Sequence, residues 1–256
     1  MNVLIIGDSH VGALQQAHLK GRETEKALAP ANLTIRPLGN GKFLATPFFA
    51  DHGDYAELAN GEYRQQFQRF PPQDHAYDWI GFSGPLHLAR VWRNLDWERF
   101  SPWNMGGREH AISTAMLKQA IEDDAKHALG FIDVIRRTTR IFVIESPWPF
   151  RRHPAVSHNG PELVHRVHEQ YRRYVLEELE HRHVPVVTID PAWCDAEGFM
   201  RERFRHGNPE DTHHGNIEFG CLMLERIGAF LREKAQTGQL PDAAGVQNIK
   251  VSLKER

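Results

Sequence analysis

Apolar runs and helical stripes alternate along this chain almost from end to end. Val3 to Ile6, Leu33 to Leu38, Trp79 to Ser83, Arg140 to Glu145 and Val184 to Ile189 read as five strands, several of them apolar on consecutive positions. A strand that is apolar on both faces must be covered on both, so the pattern predicts a parallel sheet between two helical layers. Between the strands, apolar residues recur at spacings of three and four, as on one face of a helix. One stripe carries Leu163, Val167, Tyr171, Tyr174 and Val175, and opens after Pro161, where a missing N–H costs little. Another carries Ile112, Met116, Ala120, Ile121, Ala125, Ala128, Ile132 and Ile135. The last runs from about Ile217 to Leu231 through Cys221, Leu224 and Gly228.

Residues 43–77 break this rhythm. Their aromatic residues, the Asn60-Gly61 pair and the closing Pro71-Pro72 predict a β-hairpin insertion. Placed after the second strand, it would lie near the carboxyl edge of the sheet, where open α/β sheets bind ligands, and would suit a lid or a homo-oligomer contact. The domain is expected to span residues 1–237, with a polar tail over 238–256, and the sequence shows no internal repeat.

A chain of 256 residues with 41% apolar residues can bury a substantial core as one large domain. A net charge of −2 gives no basic excess for nucleic acid, so the expected partner is a small molecule. Cys194 and Cys221 are too few for a disulfide framework and read as reduced thiols. No secretory leader pattern precedes the first strand and no apolar stretch is long enough to span a membrane, so the expected location is cytoplasmic.

Two segments carry candidate chemistry. In "LIIGDSHVGAL", residues 4–14, a buried strand ends in a Gly-Asp-Ser-His turn that opens a helix. A serine there is presented at the sheet edge, and the first N–H groups of the helix can stabilise an oxyanion. The same turn admits another reading, in which Asp8 and His10 form the D-x-H metal-ligand pair of a metallophosphoesterase. In "GNPEDTHHGN", residues 207–216, Asp211 and His214 stand three residues apart just before the last helix. That spacing lets one loop supply both a general base and the carboxylate that orients it.

Gly7-Asp8-Ser9 after the first strand and Asp211-x-x-His214 before the last helix resemble the first and last blocks of the SGNH (GDSL-type) hydrolase superfamily. The similarity of order covers roughly residues 2–235, with motif identity confined to short blocks. It implies a flavodoxin-like three-layer α/β/α sandwich around a five-stranded parallel sheet. It also implies Ser9 as nucleophile, His214 as base, Asp211 as its orienter, and no cofactor or metal. The family's second block, an oxyanion-hole glycine, is matched best by Gly41 in "PLGNGKF", with Gly39 next.

The third block departs from the family's Gly-x-Asn-Asp. In "FSGPLHLARV" Gly84 matches, but Leu86 stands where an asparagine amide should donate to the oxyanion. Losing such a donor costs about a hundred- to a thousandfold in rate. His87, Asn40, Asn104 or backbone donors alone are the replacements on offer, with Ser9, Gly41 and His87 the preferred set. His10, Asn40, Gly84 and Trp148 are the expected substrate-facing residues.

The function so implied is a serine esterase acting on an acyl ester, with acetyl among the candidate groups, of a small molecule or saccharide; an O-acyltransferase on the same fold is a variant of it. A metallophosphoesterase would need further blocks, which "GDYAEL" and "GNPED" do not supply. A binding module that has lost catalysis is the remaining alternative. Trp92, Trp97, Trp103, Trp148 and Trp193 lie in or beside the loops leaving the strands, as core residues or as sugar-stacking faces. Arg151 and Arg152 would hold an anionic group or face solvent.

Overall fold

The computed structural model describes residues 1–21, 28, 31–73, 76–87 and 91–236; the expected tail over 238–256 lies outside them. In chain order the elements are β1 (Asn2–Gly7), α1 (Val11–Leu19), β2 (Asn32–Pro37), β3 (Phe49–Asp51), β4 (Ala56–Leu58), β5 (Arg69–Phe70), β6 (Trp79–Ser83) and α2 (Val91–Asn94). There follow β7 (Phe100–Pro102), β8 (His110–Ile112), α3 (Thr114–Ile135), β9 (Arg140–Ile144), α4 (Pro154–Asn159), α5 (Pro161–His181), β10 (Val186–Val187) and α6 (Ile217–Gln236).

Five parallel strands form the main sheet in the order β10-β9-β6-β1-β2. Alternation along β1 sorts the two cores. Val3 and Ile5 face α1 and α6, in a cluster with Leu14, Phe142, Leu224 and Ile227. Leu4 and Ile6 face the opposite layer, with Phe131, Ile132, Val167 and Val175 of α3 and α5. The expected three-layer α/β/α sandwich is present.

The fifth strand is shorter than its apolar run. Pro185 has no N–H for the ladder, although its carbonyl accepts from Val143. Two residues beyond β10, the Ile189 N–H turns to the buried Glu145 carboxylate at 2.8 Å instead of a strand partner. The α3 stripe also differs: Met116 is 58% exposed, while Leu117, Ile121, Asp124 and Phe131 are buried. Ser113 caps the start of this helix, its hydroxyl accepting from the Met116 N–H at 3.2 Å. Ile112 belongs to β8, a parallel pairing with β7 that the pattern did not suggest.

The insertion is a three-stranded antiparallel sheet, β3-β4-β5, rather than a single hairpin. Its tight connection is at Asp51–Tyr55, with Gly53 at φ 85°. Asn60, expected to turn a hairpin, instead accepts from the Glu62 and Tyr63 N–H groups and opens a short helical turn. The sheet is anchored on α3 through Phe48, Phe49 and Phe70, which pack around Phe131. At its tip Arg137 donates to Asp51 at 2.8 Å and to the Gly53 carbonyl at 2.9 Å. Arg137 follows the C-terminus of α3 and precedes β9, so this tip sits at the amino edge of the main sheet. It does not cover the carboxyl edge as a lid would.

Helices α1 and α6 bring the two ends of the chain together. A Cβ on Gly220 would overlap the Ala13 carbonyl and lie 3.0 Å from the Ala17 Cβ, so glycine permits close contact of the helices. Both helices begin at the carboxyl edge, which places the turn before α1 beside the loop before α6. Gly220→Val is expected to force them apart, costing about 1–3 kcal/mol. Chemical denaturation should show the loss, together with reduced activity because the two halves of the site ride on these helices.

Candidate active site

The first loop is shaped by contacts below it. A Cβ on Gly7 would collide with the Ser83 carbonyl of β6, so only glycine lets β1 end this close to its neighbour. Asp8 then donates its N–H to Ser83 at 3.1 Å, while its carboxylate accepts from the His10 N–H at 3.0 Å. This tight turn exposes Ser9 at the head of α1 and buries Asp8 and His10 on either side of it.

The second loop is pinned at both ends. Arg205 donates to the Asp211 carbonyl at 2.9 Å, and the His206 N–H reaches the His214 carbonyl at 2.9 Å. Asn216 caps α6 by accepting from the Phe219 N–H at 3.1 Å. Asp211 accepts from the His214 N–H at 3.0 Å, and its other oxygen lies 2.8 Å from His214 Nδ1. His214 Nε2 then lies 2.7 Å from Ser9 Oγ. With Nδ1 donating to the carboxylate, Nε2 is left as an acceptor for the serine proton.

Partial burial alone would raise the Asp211 carboxyl; the N–H and ring of His214, with the N–H of His213, hold it below the usual carboxylate range. Asp211 is therefore ionised wherever His214 is needed neutral. Burial, aided by the neighbouring His214, pushes His213 down to about 4. The His213 ring, 4.0 Å from that of His214, is therefore uncharged near neutral pH and adds no positive charge beside the base.

The remaining sequence-derived residues are placed as follows. Gly41 lies against this turn, where a Cβ would come within 2.6 Å of an Asp8 carboxylate oxygen, so the close approach demands glycine. A Cβ on Gly39 would strike the Glu62 carboxylate, which accepts from the Asn40 N–H. Asn40 does not present its side-chain oxygen to a substrate: that atom accepts from the Lys42 N–H at 3.0 Å and caps the turn Gly41–Ala45. Gly84 is buried under Phe82 and Leu44, whose side chains its Cβ would meet at 2.5 and 3.1 Å, so packing explains it rather than substrate contact. Leu86 is a core residue. His87 Nδ1 is drawn to Asp8, 3.0 Å from its carboxylate, which takes that nitrogen away from the oxyanion role expected of it.

Trp148 and His10 wall a narrow pocket beside Ser9 together with His87, His153 and His213. The pocket continues outward into a cleft of about 400 Å³ lined by Trp92, His153, Asn159, Glu210 and His213. His153 and His213 were not singled out by the sequence, because one histidine among 16 carries no positional signal. Glu145, just past the end of β9, was also missed: buried, it accepts from Trp148 Nε1 at 2.8 Å and from Arg172 Nε at 2.6 Å, fixing the indole that faces the pocket. Trp97 and Trp193 are core residues, Trp103 is 64% exposed, and Arg151 pairs with Asp195 and Glu197 rather than standing free.

Behind Trp148 lies His168, buried on α5 with neither ring nitrogen hydrogen-bonded. Burial, and then the Arg172 charge, pushes it down to about 3 from an ordinary 6.5. Below pH 6.5 the unfolded chain takes up a proton that the fold refuses, so stability falls as pH drops from about 6.5 toward 3. His168→Phe should flatten the fall in denaturation midpoint between pH 7 and 4, removing on the order of 3 kcal/mol of it. The other buried histidines leave a residual slope.

No family model matches the chain, and no curated protein matches its sequence. Solved structures match its fold. The acetyl xylan esterase AlAXEase superposes with a TM-score of 0.51 at 10% identity, over 90% of this chain and 100% of its own. Axe2, an acetylxylan esterase from Geobacillus stearothermophilus, does so with a TM-score of 0.50 at 14% identity, over 91% and 93%. Among the described residues, no helix is long and apolar enough to cross a membrane.

Proposed function

We propose, from the SGNH-type hydrolase fold of this chain, that the protein is a serine esterase that removes a short acyl group, acetyl above all, from a carbohydrate. The observation that carries the reading is the continuous Ser9–His214–Asp211 line: a 2.7 Å link between Ser9 and His214, 205 positions apart in the chain, and a 2.8 Å link from His214 to Asp211. Ser9 Oγ attacks the ester carbonyl carbon as His214 Nε2 takes its proton. The carbonyl π pair moves to oxygen, where the N–H groups of Ser9 and Gly41 are the proposed donors. His214 then gives the proton to the departing alcohol oxygen, leaving Ser9 acylated. Water repeats the sequence and releases the carboxylic acid.

Short acyl groups suit the narrow pocket between His10 and Trp148. A sugar suits the outer cleft. There His153, Asn159 and Glu210 line the wall with polar groups and Trp92 with an indole. Hydroxyl groups satisfy such donors and acceptors, and an indole face stacks on a sugar ring. The similar fold of two acetyl xylan esterases points the same way.

The test is a rate series on p-nitrophenyl esters of increasing acyl length, followed by acetate release from acetylated oligosaccharides. Acetyl should be fastest in the first set, and acetylated sugar should exceed p-nitrophenyl acetate in kcat/KM. A preference for acyl chains of eight or more carbons, or no acetate release, would overturn this substrate.

A further inference from the structure

Two groups of metal-ligating side chains occur among the described residues: Asp211, His213 and His214, and a second, wholly buried group of Asp8, His10 and His87. In the first, the triad accounts for the contacts of Asp211 and His214. In the second, the approach of His87 Nδ1 to Asp8 leaves the other imidazole nitrogens without an account. Asp8 is fully buried and His10 is 4% exposed, yet Asp8 Oδ2 and both ring nitrogens of His10 and His87 have no hydrogen-bond partner. A buried polar atom left unpaired costs about 1–3 kcal/mol; beyond the Asp8 Oδ2–His87 Nδ1 approach, three imidazole nitrogens lack any partner in one place, which argues for a ligand shared by the group.

The geometry points to a divalent transition-metal ion of the zinc class bound by Asp8, His10 and His87, beneath the Ser9 turn. Asp8 Oδ2 and His87 Nδ1 stand 3.0 Å apart but are not aligned as a hydrogen bond. That is the separation of two donors sharing an ion with bonds of about 2.0–2.2 Å. The His10 and His87 ring centroids are 4.3 Å apart at 74°. Rings bound through nitrogen at that bond length put their centroids about 3 Å from the ion, so two ligands about 90–110° apart at the ion have centroids about 4–5 Å apart, whatever the tilt between the ring planes. Two imidazoles and one carboxylate form a borderline-soft set, suited to zinc or cobalt and poor for magnesium or calcium. Three protein ligands leave room for a water. The ion would tie β1, the head of α1 and the loop after β6 together, and its binding needs neither the Ser9 hydroxyl nor His214.

The experiment is zinc uptake by the full chain after dialysis against dipicolinate, followed by calorimetric titration and by the visible spectrum of the cobalt form. The expected result is about one tightly bound ion per chain, d–d bands of low-coordinate cobalt, and an unfolding midpoint raised by about 5 °C or more. Ser9→Ala should bind zinc like wild type, which separates this inference from the esterase reading. His10→Gln and His87→Gln should each weaken binding about a hundredfold or more, since even outer-shell partners are worth 10–100-fold. If either fails to fold, the wild-type titration still decides. Saturating zinc that leaves the wild type without uptake or a cobalt spectrum overturns the site. So does uptake lost in His213→Ala but kept in His87→Gln, which would place the ion in the partly buried cluster of Asp211, His213 and His214.

Discussion

Ser9→Ala lowers kcat/KM toward an acetyl ester by about 10³–10⁶-fold, the range measured when an activated serine nucleophile is removed from a triad. The loss falls on kcat, because no acyl-enzyme can form and only the oxyanion donors and binding remain. Ser9 is exposed at the head of α1, so the fold does not depend on its hydroxyl. An unfolding midpoint within a degree or so of wild type should accompany the lost turnover. Steady-state kinetics on p-nitrophenyl acetate and a thermal melt measure the two halves of this prediction.

His214→Ala produces a loss of similar size, for a different reason. With Nε2 gone from its place 2.7 Å from Ser9 Oγ, the hydroxyl keeps its proton and is a poor nucleophile at neutral pH. Because serine and histidine act as one unit, the double variant should be no slower than either single one. Asp211→Asn should cost less, about 10³–10⁴-fold, since the imidazole remains but loses the carboxylate that fixes its tautomer. A double variant whose loss equals the product of the two single losses would mean that the residues act independently, contrary to the geometry.

The parts of the molecule legible in the sequence are those where one residue type answers to one physical demand. The run Val3 to Ile6 must be covered on both sides, and its alternation between α1/α6 and α3/α5 follows from the strand period alone. Ser9, Asp211 and His214, which the fold brings within hydrogen-bond reach of one another, stand out as candidates in the sequence because they lie in short loops before helices and resemble the first and last blocks of the SGNH pattern. What escaped depended on contacts between distant segments. Met116 satisfies the helical spacing as well as Leu117 does, and which of them is buried depends on how the whole helix packs against the core. Asn60 had a turn signal but spends it on two N–H groups of the next turn, so the hairpin closes at Gly53 instead.

Glycines were the least readable. Gly41 and Gly84 look alike in sequence, yet one meets the Asp8 carboxylate beneath the site and the other meets the Phe82 ring in the core. Asn40 and His87, both suited to meeting a substrate, are drawn into holding loops: one caps Gly41–Ala45, the other turns its Nδ1 to Asp8. His153 and His213 came into view only once the strand-to-helix loops had converged on the pocket.

A fluorophosphonate probe tests the central claim most directly, because it reacts only with a serine whose proton has somewhere to go. The account predicts that wild type gains one probe mass, on the peptide carrying Ser9, and that Ser9→Ala and acid-unfolded protein gain none. Wild type that stays unlabelled while folded, or a Ser9→Ala variant labelled as fast as wild type, would contradict it.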